Sequence, residues 1–187
     1  MAQDVPLFRL VLGQNGSEAV YAEIDSISGG IVQIDAVHQR VHQGKLWDAS
    51  IYNAALADAG NLDLLIQTGS SYPHTRFNGD GTGAIRFLLY EGVTVSDAGA
   101  AVTAYNRNRN SVNALTATIT SGPTISDIGT PIAGNLIGAA GGGSVGSSID
   151  TFEEFVLKPN EIYLARLTNI SGGAIHALVS LIAYEGD

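Results

Sequence analysis

The residues best suited to chemistry are at positions 105–113, which read Tyr105-Asn106-Arg107-Asn108-Arg109-Asn110-Ser111-Val112-Asn113. The chain holds only nine Lys and Arg against eighteen Asp and Glu, and two of the nine stand here, two residues apart. Arg presents a planar fork of donors matched to carboxylates and carbonyls, and Asn presents a donor and an acceptor together. In an extended segment Tyr105, Arg107 and Arg109 point one way and Asn106, Asn108 and Asn110 the other. Such a ladder suits a fixed protein–protein contact, between subunits or within one. It equally suits a polar edge strand that discourages unwanted pairing. Arg107 and Arg109 are each expected to meet a carboxylate or a backbone carbonyl. Removing one partner of a buried pair costs about 3–5 kcal/mol, of an exposed pair about 0–1.

Other motif matches carry less. Gly141-x-Gly143-x-x-Gly146 and Gly142-x-Ser144-x-Gly146 satisfy dinucleotide and nucleophile-elbow patterns, but both mechanisms need a strand before and a helix after the glycines. Neither is evident in this glycine run. Asn78-Gly79-Asp80-Gly81 begins like a calcium loop, yet Leu89 stands where the bidentate Glu belongs. A hairpin turn explains that segment better. His38 and His42 share a face, but Gln39 replaces the catalytic Glu of a zinc-protease helix and no third ligand is evident. Glu153 and Glu154 are adjacent and so face opposite sides of a strand, which suits solvation. No catalytic set, metal site or cofactor is expected.

The elements that position these residues read as strands. The chain has 187 residues, 45% of them hydrophobic and 14% charged, with 23 Gly, one Met and no Cys. Zero Cys excludes disulfides and thiolate chemistry. A net charge of -9 argues against nucleic acid and anionic membranes as partners. No basic and apolar leader opens the sequence, and no apolar run approaches the length of a membrane span. Short Val-, Ile- and Thr-rich segments separated by Gly-rich turns recur, among them 8–12, 18–24, 31–41, 62–68, 84–90, 112–120, 162–168 and 175–184. They predict an all-β fold, an antiparallel β-sandwich or jelly roll in one domain over 13–187. Residues 138–148 should form a flexible Gly-rich loop. Residues 45–59 fit a helix and an extended segment equally, and no other span could hold a helix of any length. Residues 1–12 read as a first strand or an N-terminal arm, with Asp4, Pro6 and Phe8 as candidate contacts to a neighbour.

A series of blocks in order resembles a known family: Val37-His38, Gly44 with Ala49-Ser50, Asp63-Leu64-Leu65-Ile66, Pro73-His74, Tyr90-Glu91-Gly92-x-Thr94-Val95-Ser96, Asn106 to Ser111, Phe155-x-Leu157-Lys158-Pro159-Asn160-x-x-Tyr163, and Arg166-x-Thr168-Asn169. They resemble small virion structural proteins that tailed bacteriophages encode among their head genes. The family's usual Trp-Tyr-Glu-His ending is Ala183-Tyr184-Glu185-Gly186 here. The resemblance implies a capsid cement (decoration) protein, made in the bacterial host cytoplasm and bound to the capsid exterior of the virion. Its implied partners are the major capsid protein and further copies of itself, as a dimer or trimer. A receptor- or glycan-binding module of a head or tail fibre is the alternative, with Trp47, Tyr52 and Tyr72 as its few candidate aromatics. A hydrolase assembled from distant strands is a third possibility.

Overall fold

The computed structural model describes residues 10–15, 18–22, 36–138, 147–150 and 154–185. The chain divides into two compact units, Met1–Gln39 and Arg40–Asp187. In the first, β1 (Leu10–Asn15) and β2 (Glu18–Ala22) form an antiparallel hairpin with an irregularity between Val11 and Gly13. Helix α1 (Ala36–His42) crosses the boundary, and its residues from Arg40 on belong to the second unit. The second unit holds β3 (Leu46–Leu56), β4 (Asn61–Gln67), β5 (Pro73–Gly81), β6 (Ile85–Glu91), β7 (Thr94–Asp97), β8 (Ala100–Ala101), β9 (Tyr105–Asn106), β10 (Thr118–Ser121), β11 (Thr124–Asp127), β12 (Thr130–Ile137), β13 (Ser147–Asp150), β14 (Phe155–Val156), β15 (Ile162–Asn169) and β16 (Ile175–Glu185).

The second unit is an all-β antiparallel sandwich, as expected. One sheet runs β13-β5-β16-β3-β9, with β14 also on β5, and the other β12-β6-β15-β4-β10-β8. The pairing is nested. β3 pairs with β16, β4 with β15, β5 with β13 and β6 with β12, in alternate sheets, as in a long hairpin folded over on itself. Nearly everything between β6 and β12 is a single insertion that caps the sheets' edges and one outer face.

Side-chain alternation explains the layers. Leu64 and Ile66 of β4 point inward with Phe87, Leu89, Phe77, Val179 and Leu181, contributed by both sheets. Leu65 points outward, and with Tyr90, Val93 and Leu164 forms a second cluster under Val95, Ile125 and Ile128 of the β7–β11 region. With both faces covered, β15 is buried nearly throughout instead of alternating. On that outer face Arg166 forks onto Asp63, its cross-strand neighbour, with both bonds at 2.7 Å. The two side chains are 18% and 10% exposed, and the carboxylate holds the guanidinium above its ordinary range.

One open alternative resolves and three expectations change. The span 45–59 resolves mostly as the extended β3, with Trp47 and Ala49 buried, Asp48 half-buried between them and Tyr52 exposed further along. Residues 36–42, read as part of a strand, are the helix, ended by Gly44 at φ +66°. The 112–120 strand is shortened to β10, because residues 111–115 are drawn into loop contacts described below. Asn78 to Gly81 is not a hairpin turn but the end of β5. Its glycines answer crowding, since a Cβ on Gly79 would stand 2.7 Å from the Phe87 ring and one on Gly81 2.8 Å from Ile85. Most of the 138–148 loop, residues 139–146, lies outside the described residues.

Gly79 is therefore a packing residue between the sheets. Gly79→Ala should destabilise the fold by about 1–3 kcal/mol through overpacking. An unchanged midpoint in chemical denaturation would contradict this assignment.

Candidate protein–protein interface

Residues 105–113 sit on the edge of the β3 sheet, where β9 pairs Tyr105 with Asp48 and Asn106 with Trp47. Only those two residues are strand. Arg107 adds one more backbone bond, from its N–H to the Leu46 carbonyl at 2.8 Å, and the chain then turns. The alternation expected from an extended ladder survives in burial, since Asn106 is buried and Asn108 half-buried while Tyr105, Arg107 and Arg109 are exposed.

What holds the turn is the end of α1. Gly44 donates to the Val41 carbonyl and Lys45 to the Arg40 carbonyl, the paired bonds of a Schellman cap, which needs the positive φ that Gly44 supplies. A helix end still leaves carbonyls without intrahelical donors. Here three asparagine amides supply them. Asn108 Nδ2 donates to the His42 carbonyl at 3.2 Å, Asn113 Nδ2 to Gln43 at 3.3 Å and Gly44 at 3.2 Å, and Asn106 Nδ2 to Gly44 at 2.8 Å. The amide oxygens work on their own loop. Asn106 Oδ1 accepts from the Asn108 N–H at 2.9 Å and Asn108 Oδ1 from the Asn110 N–H at 3.2 Å, while Ser111 Oγ accepts from Asn113 N–H at 3.1 Å. These are successive Asx- and Ser-type turns. The spacing of two that suggested a strand ladder is the spacing of those turns. Any Cβ on Gly44 would meet Ser111 Oγ at 2.2 Å, so loop and cap are fitted to each other.

The arginines divide. Arg107 forks onto Asp48 at 2.5 and 2.9 Å, with side chains 37% and 43% exposed, and the carboxylate holds it above its usual range. Arg109 meets no carboxylate or carbonyl among the described residues. It lies with its guanidinium carbon 5.1 Å from the centre of the Tyr105 ring, a cation–π contact in place of the expected ion pair. Asn110 is exposed and joins the clamp through its backbone N–H. Further along the loop Val112 has 97% of its surface open, and Tyr105, at the start of the segment, has 57%. Asp4, Pro6 and Phe8 lie outside the described residues. Sequence reasoning passed over Asp48, gave Gly44 no role beyond the resemblance, and left Val112 and Asn113 out of the candidate contacts although they lie in the 105–113 stretch. Asn113 continues the asparagine series after a Ser, which was the one available signal.

Two further networks use the resemblance blocks. Lys158 Nζ meets Glu91 Oε1 at 2.6 Å, and the Tyr163 hydroxyl donates to Glu91 Oε2 at 2.9 Å while accepting from the Lys158 N–H at 3.0 Å. Burial, above all, pushes the Tyr163 phenol up to about 12, and the Lys158 hydrogen bond holds the Glu91 carboxyl below its usual range. His74 Nδ1 and the Tyr184 hydroxyl both bond to Glu154, and the Arg40 guanidinium lies 3.3 Å from the Tyr184 ring centre. Burial raises the Glu154 carboxyl, but the bonds from Tyr184 and His74 outweigh it and leave it lowered. Among the described residues no group of three His, Cys, Asp or Glu is placed to hold a metal. No family model matches the chain, nor does any curated protein or solved structure.

The clamp separates the asparagines by role. Asn106→Ala should cost about 1–3 kcal/mol, because it removes the acceptor of the Asn108 N–H and leaves the Gly44 carbonyl only the longer bond from Asn113. Asn110→Ala should stay within about 0.5 kcal/mol. Equal losses in thermal unfolding would contradict the clamp. Arg107→Ala, at an exposed pair, should cost about 0–1 kcal/mol, with the difference from wild type shrinking at high salt. A loss well above that range, insensitive to salt, would contradict the exposed pairing.

Proposed function

We propose that this chain is a non-catalytic structural protein of a tailed-bacteriophage head, a cement protein that binds the outer surface of the capsid as an oligomer. The observation that carries this reading is the loop tip at Val112. A large aliphatic side chain left open on a soluble surface is ordinary when the loop is free to move. Here the loop is tied by three amides to the end of α1, so Val112, Tyr105 and Arg109 are presented in one arrangement before any partner arrives. Preorganisation of that kind lowers the entropy lost on binding. Aromatic and Arg side chains are those that recur at the centres of protein interfaces.

Two further observations support it. We read the nested pairing in alternate sheets of the sandwich as jelly-roll winding, an architecture that recurs in viral capsid proteins. The polar residues that carry the resemblance also meet one another: Arg166 with Asp63, Lys158 and Tyr163 with Glu91, and Asn106 with Gly44. They hold the fold together, so a shared set of them argues for a shared fold.

The aromatics named for the glycan-binding alternative give it less support. Trp47 is 4% exposed, and Tyr52 and Tyr72, though open, do not converge. Tyr52 lies opposite Leu178, whereas Pro73, next to Tyr72, lies opposite Glu185. Seven strand positions separate those two rows, about 23 Å along β16.

The test is co-sedimentation of the purified chain with expanded capsids that lack it. Wild type should bind in proportion to the number of capsomers, and Val112→Asp should lower affinity at least about tenfold, near 1.4 kcal/mol, with an unchanged melting temperature. Full occupancy by Val112→Asp would remove this tip from the interface. No binding by wild type would overturn the cement reading.

A further inference from the structure

We propose that β12 is the edge at which two copies of this chain associate, strand to strand and antiparallel. A sheet edge exposes unpaired N–H and C=O groups, and proteins ordinarily blunt it with short strands, charge or Pro. Three of the four edges in the sandwich are blunted by length. β8 and β9 have two residues each and β13 has four. β12 has eight, pairs on one side with β6, and meets no other strand among the described residues.

Its first part is guarded. Pro131 lacks a donor, and the register slips between Pro131 and Ala133. From Ala133 to Ile137 the strand is regular, opposite Leu89 to Ile85 without a break. That stretch carries no guard at all. Leu136 is 70% exposed, and Gly134 lets Leu88 fold across it, since a Cβ there would fall 2.2 Å from the Leu88 side chain. The edge thus joins an apolar strip to a row of open backbone groups.

Charge names the occupant. Every residue from Ile128 to Ile149 is uncharged, on a chain with a net charge of -9. Two copies of an acidic protein repel wherever their carboxylates approach, and least where there are none. A partner recognised by charge would need complementary groups on this edge, and β12 itself has none, the exposed Arg86 opposite Leu136 belonging to the neighbouring β6. Antiparallel strand pairing is also self-complementary, as a two-fold interface requires. A two-fold axis through Asn135 sets the Ala133 and Ile137 positions opposite each other and brings the two Leu136 side chains near the axis. The proposal rests on the oligomer part of the cement reading and not on the capsid part.

The test is sedimentation equilibrium of the full isolated chain through the micromolar range, with no capsid present. Wild type should form a dimer. Leu136→Lys and Asn135→Lys, which add charge to exposed side chains, should each raise the dimer dissociation constant at least about tenfold, since an edge Lys opposes pairing. Val112→Lys should leave it unchanged. Melting temperatures measured at concentrations where all variants are monomeric check that each folds. A wild type that stays monomeric, a closed trimer, or a dimer indifferent to both edge variants would each overturn the proposal. A capsid-binding defect in Val112→Asp with an intact dimer bears on the cement reading alone, so the two can fail separately.

Discussion

A helix that ends inside a folded chain leaves carbonyl groups that something must bond, and in this protein the answer shapes the most distinctive part of the surface. α1 turns at Gly44 into β3, and the carbonyls of His42, Gln43 and Gly44 all receive Asn side-chain amides from the 105–113 loop. One obligation therefore determines several features at once. It requires a glycine where the cap turns left-handed, a Ser small enough to lie against that glycine, and asparagines at a spacing of two so that each amide oxygen can hold the next N–H. The open side chains at the tip inherit their placement from these bonds.

The same economy governs charge. With twice as many acids as bases, the chain spends most of its described cations on internal partners. Arg166 is held by Asp63, Arg107 by Asp48 and Lys158 by Glu91, while Arg40 lies over the Tyr184 ring. Each joins segments far apart in sequence. The exposed pairs contribute little energy individually, but the half-sequestered Arg166–Asp63 fork fixes the register of β4 against β15 at the centre of a sheet. On a chain with a net charge of -9, the loop that carries Arg109 and the uncharged β12 edge stand apart.

Much of the sandwich was legible because strands with clear period-two or continuous apolar patterns declare themselves. β4, β6, β15 and β16 begin and end within about a residue or two of their expected limits. Where the pattern misled, the cause was a contact distant in sequence. Ala36 to His42 carries β-branched residues that read as strand, but its helical end is stabilised by asparagines more than sixty positions away. Asn78 to Gly81 has the composition of a turn, yet its glycines make room for Phe87 and Ile85 across the sandwich. Of the candidate site, the residue types and their alternation were readable, and so was the Arg107 ion pair. That the asparagines bond backbone within their own chain was not, because an amide's partner cannot be inferred from spacing that serves a strand and a series of Asx turns alike.

Hydrogen exchange at single-residue resolution tests the central claim, that the loop is rigid because its own amides hold it to the helix end. The Asn106 side-chain amide protons and the Asn108 backbone amide should exchange at rates close to those of β3 and β16, although Asn108 lies in no regular element. Exchange at the rate of an exposed side-chain amide such as that of Asn135 would show the loop to be free, and the account of a preformed contact surface would be wrong.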